Sequence, residues 1–281
     1  MIPAPDTPTS VRSSPAGWRA LVTDAARCLR FYSRLPTPPL PWEGDPHAPP
    51  DFAVTPRALP LAGAVIGATG AVALGLAHLL GFGPALSAAL AVAAIVIATG
   101  AFHEDGLADT ADGFWGGHDR ERRLEIMRDS RIGSYGAAAL GLSLLLRIVA
   151  FATIMERSGA LGAAMVLMVF TALSRTAALD VMMTLEPART SGASHAVGRP
   201  LSRTVAIAWA LCVALGLVLG LIGGLPLAGL ALAFGAAALA GRGMTALARA
   251  KLGGSTGDVI GAAQQVAEVA ALLALLACVP R

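Results

Sequence analysis

Seven long apolar runs constrain this chain more than any other feature of its sequence. Each is about as long as the 17–25 residues that a helix needs to cross a bilayer. Apolar residues make up 55% of the 281 residues and charged residues only 14%, against roughly 25% in soluble domains. We therefore expect an all-α, polytopic membrane helix bundle with about seven transmembrane helices. The runs lie at about 58–80, 84–102, 133–155, 160–183, 204–222, 225–241 and 259–279.

The whole chain, 1–281, is expected to form a single membrane-embedded domain. Residues 1–17 are rich in Pro, Ser and Thr and lack the apolar core of a signal peptide, so we expect them to be flexible. Residues 18–35 have the spacing of an amphipathic helix with arginines on one side, which is typical of a helix resting on anionic lipid. The proline-rich stretch 36–56 cannot continue that helix.

The basic residues predict the orientation. If the N-terminus is cytoplasmic and each run crosses once, 18 of the 21 Lys and Arg residues fall on the cytoplasmic side. The C-terminus is then exterior, and the polar segments face the cytoplasm of a bacterial inner membrane. The basic residues flank apolar runs and form no stripe, so we expect no nucleic-acid partner.

An acidic segment interrupts this pattern between the second and third runs. Asp105, Asp109 and Asp112 are spaced i, i+4, i+7, which places three carboxylates on one narrow helix face. Their mutual repulsion at a membrane span is costly, and a cation relieves it. Hard oxygen ligands favour Mg²⁺, Mn²⁺ or Ca²⁺, and Mg²⁺ commonly shares its shell with substrate phosphates.

The alternative interpretation of this segment is a solvated acidic face. The residues between the aspartates favour the metal site, because small side chains let a bulky ligand come close. His103 points away from the aspartate face of a regular helix, so we expect it not to be a ligand. Most of 119–131 has the alternating charges of a solvated helix, but its end abuts Gly133 and the next span, where a phosphate could be held.

A second polar segment opens the last apolar run. Gly253-Gly-Ser-Thr-Gly-Asp258 has glycines and hydroxyls that expose N–H groups at a helix N-terminus, which is a natural anion site. Thr256 or Asp258 could equally be a simple N-cap. Three polar residues continue into the span and must face the protein interior, namely Gln264, Gln265 and Glu268.

The two polar segments carry a family resemblance. His103-Glu-Asp-Gly-Leu-Ala-Asp-Thr-Ala-Asp-Gly113, followed by Arg123-Leu-Glu-Ile-Met-Arg-Asp-Ser-Arg-Ile-Gly133, closely resembles the cobalamin synthases, also called adenosylcobinamide-GDP ribazoletransferases. Further stretches agree, and the resemblance covers about residues 28–277. These stretches are Phe31–Pro38, Leu59–Gly67, Leu173–Arg175 and Leu252–Ala262.

The resemblance implies a Mg²⁺-dependent membrane transferase that acts late in cobalamin biosynthesis. It joins adenosylcobinamide-GDP to α-ribazole or α-ribazole 5′-phosphate and releases GMP. The expected partners are these substrates, membrane lipid and other cobalamin-assembly enzymes. We expect Asp105, Asp109 and Asp112 to hold Mg²⁺ against the diphosphate. The remaining candidates are Glu104 and Asp129 as further catalytic carboxylates, and Ser130, Arg131, Arg175, Thr256 and Asp258 as substrate-binding residues.

Two alternatives stay open at this point. Asp109-Thr-Ala-Asp-Gly113 matches the opening of the motif of CDP-alcohol phosphotransferases, but the rest of that motif is missing. The second alternative is a transporter that uses the aspartates as a cation site. Inverted repeats are typical of such transporters, and the sequence shows no clear internal repeat.

Overall fold

The computed structural model describes residues 17–46, 48–189 and 198–280, and the described residues form helices joined by short loops. A short 3₁₀ helix, Thr55–Ala58, leads into the second helix. The predicted flexible segment 1–17 lies almost entirely outside the described residues. The helices are α1 (Trp18–Tyr32), α2 (Leu59–Leu79), α3 (Pro84–Thr99), α4 (Phe102–Gly116), α5 (Arg120–Ile126), α6 (Ser134–Thr184), α7 (Ser202–Ile222), α8 (Leu227–Leu252) and α9 (Gly257–Leu276).

The long α6 is a helical hairpin that turns at Gly159, where φ is 75° and ψ is 172°. At about 1.5 Å per residue, an unbroken helix would place Arg147 and Ser174 roughly 40 Å apart. Both instead reach one carboxylate: Arg147 Nε lies 3.1 Å from Glu268 Oε1, and Ser174 Oγ lies 3.5 Å from Glu268 Oε2. The halves 134–158 and 160–184 therefore run antiparallel.

This hairpin reconciles the number of helices with the number of apolar runs. Within the described ranges, five helices are long and apolar enough to cross a membrane, or six if α3 and α4 together make one bent span. That count takes α6 as one helix. Dividing α6 at Gly159 gives six crossings, or seven with the bent pair, which is close to the expected number of about seven. The helical membrane fold is confirmed.

A sharp bend separates α3 from α4, whose axes differ by 88°. Gly100 caps α3 in the left-handed conformation, and Ala101 has a positive φ of 59° as well. Two successive left-handed residues cannot continue an α-helix, so the chain turns across the bundle. Because of this bend, α4, which carries the aspartates, runs in a different direction from α3.

Small residues let α2 pack closely on the second half of α6. A Cβ on Gly63 would lie 2.7 Å from Ala172 Cα, and one on Gly67 would lie 2.6 Å from the carbonyl oxygen of Leu167. Real Cβ atoms do not approach backbone so closely, so only glycine permits this crossing. The packed hairpin forms the centre of the bundle.

Two element boundaries differ from the expectation. The amphipathic helix ends at Tyr32 rather than at residue 35, because the extended backbone of Ser33 stops it before the prolines. The sixth apolar run, expected over 225–241, belongs to a helix that continues to Leu252. Its last turns are polar, so hydropathy alone placed the end too early.

The short α5 anchors the end of α8. Arg120 Nε donates to the carbonyl of Leu252 at 2.8 Å, and Arg123 Nη1 donates to the carbonyl of Lys251 at 2.9 Å. Cations favour the carbonyl end of a helix, where backbone acceptors lack partners. The segment expected to be mostly solvated helix therefore holds α8 in place.

Candidate active site

The three aspartates lie on α4, as their spacing predicts. The side chain of Asp105 is exposed, Asp109 is half-buried and Asp112 is buried. Asp109 is within electrostatic range of Asp105, Asp112 and also Asp258 of α9. The structure thus brings the predicted carboxylates of α4 and α9 together at one end of the bundle.

Asp112 has a structural role that the sequence did not suggest. Its Oδ2 accepts from the N–H of Gly133 at 2.7 Å, and its Oδ1 accepts from the N–H of Gly136 at 2.9 Å. These N–H groups begin α6 and have no partner within the helix, so a carboxylate stabilises them. A carboxylate offers about four acceptor positions, and two backbone bonds leave the others for a cation.

The start of α9 faces α4 closely. Thr256 is the N-cap, and its Oγ1 accepts from the N–H of Val259 at 3.3 Å. The same hydroxyl donates to Asp258 Oδ2 at 3.2 Å, and Arg189 Nη1 lies 3.7 Å from that oxygen. The simpler interpretation of Thr256 as a cap is therefore confirmed. The half-buried Asp258 extends from the first turn of α9 toward the α4 aspartates.

Part of the loop expected to bind an anion is already used by the fold. The N–H of Ser255 donates to the carbonyl of Glu186 at 2.8 Å, and the N–H of Ala188 donates to the carbonyl of Ser255 at 2.7 Å. This short parallel bridge removes one of the N–H groups that we expected to be free for a phosphate. A phosphate role for Thr256 stays a prediction.

The polar residues that follow Asp258 on α9 belong to a buried network beneath the aspartates. Arg147 Nη1 donates to Glu104 Oε1 at 2.9 Å, and Arg147 Nε donates to Glu268 Oε1 at 3.1 Å. Gln265 donates to Glu104 Oε1 at 3.0 Å, and Gln264 donates to Glu268 Oε2 at 2.7 Å. The exposed fractions of Arg147, Glu104 and Glu268 are 1%, 4% and 1%.

This network confirms that Gln264, Gln265 and Glu268 face the protein interior. It also changes the interpretation of Glu104, which points into the bundle while its neighbour Asp105 is exposed. One feature of the sequence could have revealed the partner of Glu104, because Arg147 is a charged residue in the middle of an apolar run.

Arg175 of α6 and His103 of α4 lie close to the buried network. Arg175 is buried and donates to the carbonyl of Thr171 at 3.0 Å, while its Nε has no partner among the described residues. His103 is buried and stacks on Tyr32 with ring centroids 6.0 Å apart. Both line a small cavity with Gln264. His103 is thus an aromatic packing residue here, and phosphate binding by Arg175 stays a prediction.

Asp129, Ser130 and Arg131 occupy an exposed loop before α6. Arg131 Nη2 donates to Asp129 Oδ2 at 2.6 Å, and the N–H of Arg131 also donates to Asp129. These side-chain and backbone hydrogen bonds lower the pKa of Asp129 to about 2. The two charges neutralise each other, and among the described residues the pair forms no hydrogen bond or ion pair with the α4 aspartates. Its substrate role stays a prediction.

The side chains as they stand do not form a complete metal site. No three acidic, histidine or cysteine side chains within 17–46, 48–189 and 198–280 are arranged to hold an ion. The chemistry still suits a hard divalent cation, since Asp105, Asp109 and Asp258 offer carboxylate oxygens from two helices.

Comparison with known protein families identifies the family to which this chain belongs. A family model described as cobalamin-5-phosphate synthase matches residues 24–276. The chain belongs to the cobalamin-5-phosphate synthase family. The match covers every helix that carries a site residue, from α4 to α9, so the resemblance seen in the motifs extends over the whole bundle.

Curated relatives of this synthase family carry the name adenosylcobinamide-GDP ribazoletransferase. The relative from Azorhizobium caulinodans is 47% identical over 91% of this chain and 96% of its own. Those from Xanthobacter autotrophicus and Sinorhizobium medicae are 46% and 44% identical, each covering at least 90% of this chain and 95% of its own. No solved structure matches. These findings favour the synthase over the CDP-alcohol phosphotransferase and the transporter.

Proposed function

We propose that the chain is a Mg²⁺-dependent transferase of the inner membrane that joins adenosylcobinamide-GDP to α-ribazole or its 5′-phosphate. The observation that carries this proposal is the convergence of four carboxylates from α4 and α9 in a chain of the synthase family. A sugar hydroxyl displaces GMP from the diphosphate, which forms one phosphodiester bond and breaks the bond to the leaving GMP.

The aspartates hold the cation in this proposal. Asp105, Asp109 and Asp112 bind Mg²⁺, and Asp258 adds a carboxylate from α9. When bound, Mg²⁺ neutralises the charge of the diphosphate and of the leaving phosphate. Asp112 combines this role with its hydrogen bonds to the start of α6. Asp112 contacts the N-terminus of α6, a position that would favour a bound phosphate group.

The remaining residues orient the substrates. Arg189 lies beside Asp258 and is half-buried, so its guanidinium can contact a phosphate bound at the aspartates. A carboxylate of the site that is not bound to the cation would accept the proton of the attacking hydroxyl. The end of the bundle that carries these groups faces the cytoplasm in the proposed orientation, because the basic loops lie at the same end.

The test is turnover by purified protein in lipid nanodiscs. Adenosylcobinamide-GDP, α-ribazole and Mg²⁺ should give GMP and a cobalamin product in equal amounts, and EDTA should abolish both. Turnover of a CDP-alcohol with no cobalamin product would contradict the proposal. The two acceptors, α-ribazole and its 5′-phosphate, are compared at equal concentration to determine which one the protein uses.

The aspartates are tested by Asp109→Ala with Glu121→Ala as the matched control. Loss of a metal carboxylate should lower turnover by about two to four orders of magnitude. Glu121 is an exposed acid on α5, and its removal should have little effect. Mg²⁺ should also raise the thermal unfolding temperature of the parent protein but not of Asp109→Ala. Near-normal turnover of Asp109→Ala would contradict the metal assignment.

A further inference from the structure

One guanidinium joins the two helices that carry the candidate site. Arg147, in the first half of α6, donates at the same time to Glu104 of α4 and to Glu268 of α9. Glu104 directly precedes Asp105, and Glu268 lies ten residues after Asp258 on the same helix. Arg147 is therefore placed to fix the positions of the α4 aspartates and of Asp258 on α9.

We propose that Arg147 is a positioning residue, which sets the separation of α4 and α9 and so assembles the carboxylates of the site. This inference rests on the proposed function, because it explains how that site is held in place. Glu104 and Glu268 act through Arg147 as the anchors of their helices, and Glu104 takes no direct part in the reaction.

The contacts favour a fixed geometry. Arginine presents its donors as a rigid planar fork, which fixes direction as well as distance. Gln265 donates to Glu104 and accepts from Ser143 of α6, while Gln264 donates to Ser174 of the other half of α6. Four helical segments thus share one hydrogen-bond network. A network in a low-dielectric interior resists rearrangement, because each broken bond leaves an unpaired polar group.

The second anchor of α4 is at its other end. Asp112 is bonded to the start of α6, and Glu104 is bonded to Arg147 about three turns further along α6. Asp105 and Asp109 lie between these two fixed points. Because α4 is bent away from α3 by 88°, its position is not fixed by a continuous helix. These side-chain hydrogen bonds fix the position of α4 instead.

The charges of the buried groups indicate that Glu104 and Arg147 form a permanent ion pair with a structural role. Glu104 and Glu268 are two buried acids, and Arg147 and Arg175 are the buried bases within electrostatic range of both. A carboxylate that serves as an acid or base must change its charge during turnover. Changing the charge of Glu104 would leave Arg147 partly uncompensated in the interior, where an unpaired charge is expensive.

The experiment measures the separation of the two helices directly. Spin labels are placed at Trp115→Cys on α4 and at Gly257→Cys on α9, both exposed positions, after the three native cysteines are replaced by alanine. Arg147→Lys keeps the charge but loses the fork. We expect a broader or shifted distance distribution and a kcat lowered by about 10- to 100-fold, as for a misplacement of about 1 Å, with KM changed by less than about threefold.

Arg157→Lys is the matched control. Arg157 lies on the same helix and also contacts the region of α9, but at the far end, through the carbonyls of Leu276 and Val279. It should leave both the distance and kcat unchanged. A narrow, unshifted distance in Arg147→Lys would overturn the proposal.

Glu104→Gln separates positioning from direct catalysis. Its amide oxygen can still accept from Arg147, so the distance should stay near that of the parent and kcat should fall by less than about tenfold. A near-complete loss of turnover at an unchanged distance would show that Glu104 reacts directly, which overturns its assignment. The distance needs no substrate, so it tests the positioning even if the parent protein does not make cobalamin.

Where Arg147→Lys folds poorly, the variant Glu104→Gln/Arg147→Met replaces it. This variant removes one buried acid and one buried base together and leaves Glu268 opposite Arg175, so we expect it to fold. It should show the same broadened distance. A parent-like distance in this well-folded variant would overturn the proposal equally.

Discussion

Gly106 of α4 lies directly against the backbone of Asp258 of α9. A Cβ at Gly106 would come within 2.8 Å of the carbonyl oxygen of Asp258 and within 3.0 Å of its Cα. The two helices that carry the aspartates are therefore in contact at the site itself. The glycine between Asp105 and Asp109 permits this contact, which explains its place in the motif.

Gly106→Ala should push the two helices apart by a few tenths of an ångström. We expect a loss of about 1–3 kcal/mol in stability, as for overpacking elsewhere, and reduced turnover. Gly75→Ala on α2 is the control, since a Cβ there meets nothing within 4 Å. It should be neutral or slightly stabilising. Thermal unfolding in detergent measures both, and equal behaviour of the two variants would contradict the close contact.

Asp258 lies in the first turn of α9, after the Thr256 cap, and its role in the helix can be tested separately from a role as a ligand. Asn keeps an oxygen that can accept from the Thr256 hydroxyl but brings no charge to a cation. We expect Asp258→Asn to keep the thermal stability of the parent while its turnover falls by at least about tenfold, and Asp258→Ala to lose both. Activity restored fully by Asn would assign Asp258 to the helix alone.

The proposed orientation is tested with a pair of exposed glutamates. Cys278, near the exterior end, is first replaced by serine so that it does not react. A membrane-impermeant thiol reagent added to intact cells should then modify Glu156→Cys, which lies beside the turn of the α6 hairpin. It should leave Glu121→Cys on α5 unmodified until the cells are opened. The reverse pattern would invert the topology.

A fourth prediction concerns pH and the connector after α1. Arg30 donates to both oxygens of Glu43, at 2.8 and 2.9 Å. Burial raises the pKa of Glu43, but these hydrogen bonds outweigh it and hold the pKa below its ordinary value. The stability from this pair is present above the unfolded pKa of about 4.3 and is lost as pH falls through the lower folded value.

Glu43→Gln should therefore lower the unfolding temperature at pH 7 and have a smaller effect near pH 3. Thermal unfolding of both proteins across this range measures the difference. The same difference at both pH values would show that the charge of Glu43 does not matter. Asp51→Asn, at an exposed position of the same connector, provides the control.

The sequence predicted the helical class, the approximate number of spans and the helix face of Asp105, Asp109 and Asp112, because each follows from local periodicity. It missed the bonds from Asp112 to Gly133 and Gly136 and from Arg147 to Glu104 and Glu268. These partners are more than 20 residues apart, so their pairing depends on how the helices pack. A charged residue inside an apolar run, as Arg147 is, indicates a buried partner but does not identify which acid supplies it.

The order of residues in the network has a consequence for how the protein is made. Glu104 and Arg147 leave the ribosome early, whereas Glu268 and the two glutamines belong to the last helix. Until α9 enters the bilayer, Arg147 has a single acidic partner and Ser143 and Ser174 lack their amide partners. Insertion of the final helix therefore completes the hydrogen bonds of helices already in the membrane. A chain that ends before α9 keeps unpaired polar groups in its interior. We expect the quality-control proteases of the membrane to degrade such a chain.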